Sequence, residues 1–79
     1  MNLQRELDFF IANQERLVKE HRDKVLVIKD QHVVGAYDSP IEAYVEAQKT
    51  YPLGTFMIQP CAPGPAAYTV TINLDYSVG

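Results

Sequence analysis

The densest apolar patterning in the chain lies in residues 24–38, Lys-Val-Leu-Val-Ile-Lys-Asp-Gln-His-Val-Val-Gly-Ala-Tyr-Asp. Two apolar runs, 25–28 and 33–37, flank a polar step at 29–32. Short β-branched runs around a polar step predict a β-hairpin. In the first run Val25 and Val27 fall on one face, Leu26 and Ile28 on the other, by the two-residue period of a strand. Both faces are apolar, as in a strand in the middle of a sheet covered on both sides. Gly35, inside the second run, marks a bulge or the close approach of another backbone.

Ahead of the hairpin, Leu3, Leu7, Phe10, Ile11, Leu17 and Val18 recur at helical spacing. They predict one amphipathic helix over about residues 3–21, with Arg5, Glu6, Glu15, Arg16, Lys19 and Glu20 on its polar surface. Asn13, a good helix cap, marks a candidate break. Phe9 lies beside the apolar stripe and reads as extra core or as a partner contact. His21, Arg22 and Lys24 place basic groups at the negative end of the helix dipole.

After the hairpin, Ser39 is a good N-cap, Pro40 fits the first helical position and Glu42 completes a capping box. Ile41, Tyr44, Val45 and Gln48 follow at helical spacing, and Ala43 and Ala47 allow close approach. This second helix is predicted to run to about Thr50 and to stop at Pro52. Residues 55–59 predict a third strand, with Phe56 and Ile58 on one side and Thr55, Met57 and Gln59 on the other. Residues 60–67, with three prolines and a glycine, predict a stiff non-helical loop. In residues 68–75, Val70, Ile72 and Leu74 alternate with Thr69, Thr71 and Asn73, which predicts a fourth strand antiparallel to the third. Residues 76–79 read as a loose tail. The expected architecture is α+β: helix, hairpin, helix, strand, strand, with one sheet of about four strands and two helices on one face.

The chain has 79 residues, enough for one small core, so residues 1–79 form a single domain. A domain this size buries only roughly 60–65% of the surface its unfolded chain exposes. Small domains draw extra stability from disulfides, metals or association. Cys61 is the one cysteine, so no internal disulfide forms. Cys61, His21 and His32 are too few and too scattered for a zinc site, and no cofactor is implied. A homo-oligomer or a larger protein partner is the remaining source, expected to cover the sheet face opposite the helices.

The net charge is −3, with no Lys/Arg cluster, which argues against a nucleic-acid partner. No apolar run is long enough to span a bilayer, and the first residues lack the charged-then-apolar order of a signal peptide. A lone cysteine fits a reducing compartment, so a cytoplasmic location is expected.

Gly54, Thr55, Phe56, Ile58, Gln59 and Cys61, followed by Pro63-Gly64 and Ala67-Tyr68-Thr69, form a string similar to one in a known family. The chain resembles small bacterial proteins of unassigned function, often encoded beside retropepsin-like aspartic peptidases. Val27-Ile28-Lys29-Asp30 and the stretch from Val34 to Ser39 add to the likeness, which covers roughly residues 3–69. The resemblance implies a helix–hairpin–helix–strand fold. Where such proteins continue Gln-Thr-Phe-His-Ser-Arg, this chain reads Val70-Thr71-Ile72-Asn73-Leu74-Asp75.

Candidate chemistry is sparse. Cys61 follows a strand and enters a rigid loop, where function is commonly placed. A nucleophilic cysteine needs a lowered pKa and a base in reach, and His32 is the available imidazole. The ordinary reading of Cys61 is a buried structural thiol. His32 beside Asp30 reads as acid–base chemistry or as a plain turn. Asp38, Glu42 and Glu46 read as an Mg²⁺ cluster or, more simply, as a helix cap and a solvated face. The loop region, through Gln59, Cys61, Pro63, Gly64 and Tyr68, is the candidate binding site, since preordered proline segments lose little entropy on docking. The leading expectation is a non-catalytic protein–protein interaction module or accessory subunit. The alternatives are a small thiol-dependent enzyme centred on Cys61 and, from the resemblance, a regulator of an aspartic peptidase.

Overall fold

The structure, a computed structural model, describes residues 3–69. The elements are α1 (Gln4–His21), β1 (Val25–Lys29), β2 (His32–Tyr37), α2 (Pro40–Gln48), β3 (Met57–Pro60) and a single turn, α3 (Ala66–Thr69). β1 lies between β2 and β3 and runs antiparallel to both. β2 and β3 are therefore parallel to each other with β1 between them, and α2 carries the connection over the sheet.

The doubled apolar pattern of β1 does set it in the middle: Val25, Leu26, Val27 and Ile28 are all buried. Leu26 and Ile28 join Phe10, Leu17, Val18, Met57, Cys61 and Ala67 on the α1 side. Val25 and Val27 join Ala43, Ala47, Phe56 and Ile58 on the α2 side. The two helices thus lie on opposite faces of the sheet, not on one face as the sequence reading had it. The reason is the strand period: a central strand apolar at every position needs a dry layer above and below. The face assigned to a partner is covered by α2.

Of the apolar stripe expected on α2, Tyr44 packs against the sheet-side cluster, but Ile41 and Val45 do not. Ala43 and Ala47 are buried against the sheet, while Ile41 is 76% and Val45 38% exposed. The small side chains let the helix approach, and Phe56, Ile58, Val25 and Val27 fill the space from the sheet side. Its start has the Ser39 cap expected, with Ser39 Oγ accepting from Glu42 N at 3.1 Å; Glu42 Oε1 accepts from Asp38 N at 3.2 Å, one residue before the N-cap N–H that a capping box would use.

α1 is unbroken. Asn13 Nδ2 donates to Phe9 O at 2.9 Å, so the amide bonds within the helix instead of capping a new one. Glu6 is buried, not part of the polar surface, and its Oε2 accepts from Asp30 N at 3.1 Å. That bond holds the hairpin turn, where Asp30 and Gln31 both have positive φ, 52° and 64°. A two-residue hairpin loop with both φ values positive matches the twist of the strands it joins. With its amide oxygen facing α1, Gln31 also accepts from Arg5 Nε at 2.9 Å and Nη2 at 3.0 Å.

β2 carries a bulge. Val27 faces Gly35 and Ile28 faces Val33, so Val34 is an extra residue. One inserted residue reverses the alternation. Val33 then packs toward the α1 cluster and Tyr37 toward the α2 cluster, although both are odd-numbered. The Tyr37 ring lies over Gly35: a Cβ there would sit 2.6 Å from Tyr37 Cε2, so a larger residue would displace the ring.

The described sheet has three strands. Tyr68 and Thr69 belong to the α3 turn, not to the start of a strand, and the loop expected to be non-helical yields to helix at Ala66. Residues 70–75 of the expected fourth strand lie outside the described residues. No helix among the described residues is long and apolar enough to cross a membrane.

Candidate interaction site

The segment after β3 is fastened to the body at both ends. Cys61 N donates to Lys24 O at 2.8 Å, and Asp23 N donates to Cys61 O at 3.0 Å, which carries the β3 pairing past Pro60 into the α1–β1 connection. The chain then crosses to α1. Gln14 Nε2 donates to Ala62 O and to Gly64 O, both at 2.8 Å. Gln59, buried in β3, donates from Nε2 to Pro60 O at 2.9 Å and Ala67 O at 2.7 Å.

Two carboxamides therefore satisfy four carbonyls. A primary amide carries two N–H donors, and the two glutamines spend them on a segment whose prolines offer no N–H of their own. The cost of an unpartnered carbonyl falls on the interior Ala67 O, whereas Gly64 O lies at the exposed tip. Gly64 turns the chain at φ 83°, with open space where a Cβ would lie, so its role is conformational. Ala67 N then donates to Gly64 O at 3.3 Å and Tyr68 N to Pro65 O at 3.3 Å, which opens α3.

The five sequence-predicted site residues separate into two groups. Gln59 and Cys61 are interior and hold the loop in place. Pro63 and Gly64 are exposed, and Tyr68 is half-buried against the α1 cluster. Pro63 and Gly64 form one wall of a groove of about 370 Å³; Gln14, Glu15, Val18, Lys19 and Arg22 of α1 and its C-terminal end form the other. The α1 contribution was not legible from periodicity. Its one signal was Gln14, a polar residue set between two halves of an apolar stripe.

Cys61 is poorly placed for nucleophilic chemistry. Burial pushes its thiol pKa up, and the Asp23 carboxylate pushes it further. Both effects favour the neutral thiol over the reactive thiolate. The two histidines instead line a separate cleft of about 530 Å³ between α1 and β2, together with Phe9, Arg16, Glu20 and Val34. Cys61 is not part of that lining. Sequence reasoning did not foresee His21 and His32 sharing a cleft, because the bulge and helix placement that bring them there are tertiary features.

The acidic candidates have partners of ordinary kinds. Asp38 pairs with Lys24, which raises the lysine pKa through a hydrogen bond and charge attraction. Glu42 serves the α2 cap, and Glu46 pairs with Lys49 at 3.1 Å. No family model, curated protein or solved structure matches this chain.

Proposed function

We propose that this chain is a non-catalytic interaction module, or an accessory subunit, that receives an extended segment of a protein partner in the groove between α1 and Pro63-Gly64. The observation that carries the reading is the preorganised loop: four carbonyls held by Gln14 and Gln59, beneath an exposed Pro-Gly tip. A wall already ordered before binding loses little entropy when a partner docks. Apolar Val18 and Pro63 with polar groups around them suit recognition of an extended segment, with main-chain and side-chain contacts both in reach.

The buried, raised-pKa thiol weighs against the alternative of thiol catalysis. Photo-crosslinking tests the proposal. A photoreactive residue at position 63 should capture a discrete partner protein, and the same residue at position 41 on the outer side of α2 should not. Equal labelling from both positions, or none from position 63, would count against the groove. Thiol labelling tests the alternative: fast modification of the folded protein at about pH 6 would favour a reactive Cys61.

A further inference from the structure

We infer that the segment taken by this groove is acidic, carrying one or two carboxylates toward the C-terminal end of α1. The inference rests on the groove being the recognition site. Lys19 and Arg22 stand on the same wall, three residues apart, so they share a side of the helix end. Both are exposed, and among the described residues neither has an ion-pair partner. Of the other five Lys and Arg residues, four pair with carboxylates, Arg16 with Glu20, Lys24 with Asp38, Lys29 with Asp30 and Lys49 with Glu46, and Arg5 donates to the Gln31 amide.

Some of this positive charge offsets the negative end of the α1 dipole. That end amounts to about half a charge and Glu15 on the same wall to one more, against two full positive ones, so a surplus of about half a charge remains. Glu15 stands one turn further back on the same wall. It repels a second acid there and sets the polarity of the bound segment. Arg22 presents a planar fork that fits a carboxylate in two-point fashion, while Lys19 acts as a point charge. Nearly buried Val18 adds apolar surface to the α1 wall of the groove that Pro63 also lines.

The test uses three synthetic peptides of equal length with identical apolar residues at alternate positions. The intervening residues are Glu, Gln or Lys. Binding to the full chain is followed by backbone amide shifts at Gln14, Val18 and Gly64. The Glu peptide is expected to bind about three- to tenfold more tightly than the Gln peptide at low salt, the scale of two exposed ion pairs. Added salt should erase the difference. The double variant Lys19→Glu/Arg22→Glu, checked for an unchanged melting temperature, should reverse the order in favour of the Lys peptide. Equal binding of Glu and Gln peptides at these amides would overturn the acidic preference and leave the groove as a recognition site. Failure of every peptide to shift these amides at millimolar concentration would overturn both readings.

Discussion

At the scale of the residue, two amides and one thiol govern the loop. Gln59 is fully enclosed and its Nε2 serves two carbonyls. Gln59→Leu should cost about 1–3 kcal/mol, because it leaves Ala67 O without its donor in the interior. Urea midpoints at constant slope would measure it. Gln14→Ala, at the part-exposed end of the strap, should cost less. Cys61 makes a pH prediction. A thiol whose pKa rises on folding favours the native state below the ordinary thiol value of about 8.5. Above that value the unfolded chain ionises first, so stability falls as pH climbs toward the raised native pKa. Lys24, also raised, loses its contribution only beyond the ordinary lysine value of about 10.4. The slope of melting temperature between about pH 8 and 10 should therefore belong to Cys61, and Cys61→Ala should flatten it. An unaltered slope in that variant would refute the assignment.

At the scale of the element, local signals and tertiary placement part company. The start of α2 was legible residue by residue, since Ser39, Pro40 and Glu42 need nothing beyond their neighbours. Ser39→Ala should cost about 1 kcal/mol, recovered by Ser39→Asp, in thermal or urea unfolding. The buried side of the same helix was legible only in part: Ala43 and Ala47 approach the sheet and Tyr44 packs beside them, as their spacing allowed, but Ile41 and Val45 stay exposed. Ile41 and Val45 look like the packing residues by hydropathy, yet the sheet accepts Ala43 and Ala47 because Phe56 and Ile58 already occupy the volume. β2 shows the same split. Gly35 announced an irregular strand, but only the bulge at Val34 and the Tyr37 ring over Gly35 explain it. Gly35→Ala should destabilise the fold, and most of that cost should vanish in a Tyr37→Ala background. Additive costs in that double-mutant cycle would show that the ring is not the obstacle.

At the scale of the whole molecule, β1 divides the interior into two apolar layers that share only the sheet. Leu17 lies in one and Ile58 in the other. Leu17→Ala should cost about 2–5 kcal/mol and Ile58→Val about 0.5–1.5 kcal/mol. Because β1 separates them, the double variant should be additive to within about 0.5 kcal/mol. Each variant should still unfold in one transition, since neither layer is complete without β1. Non-coincident transitions by fluorescence and circular dichroism would contradict this. Covering both sheet faces within the chain also removes the reason for a partner over the sheet. Among the described residues, the exposed features that remain include the groove beside α1, the cleft between α1 and β2 and the outer side of α2.

By itself the sequence determined the first five elements and their order, the hairpin, the start of α2 and the central position of β1, but not the α3 turn. Each depends on spacing or on residues a few positions apart. Tertiary structure alone decided that α1 and α2 take opposite faces, that Glu6 reaches the hairpin turn, and that Gln14 ties down carbonyls 48 and 50 residues away. Periodicity says that a face is apolar but not which layer will cover it, and a hydrogen bond between distant segments leaves no local pattern. Those choices follow from how the connections cross the sheet and from which volumes are already filled.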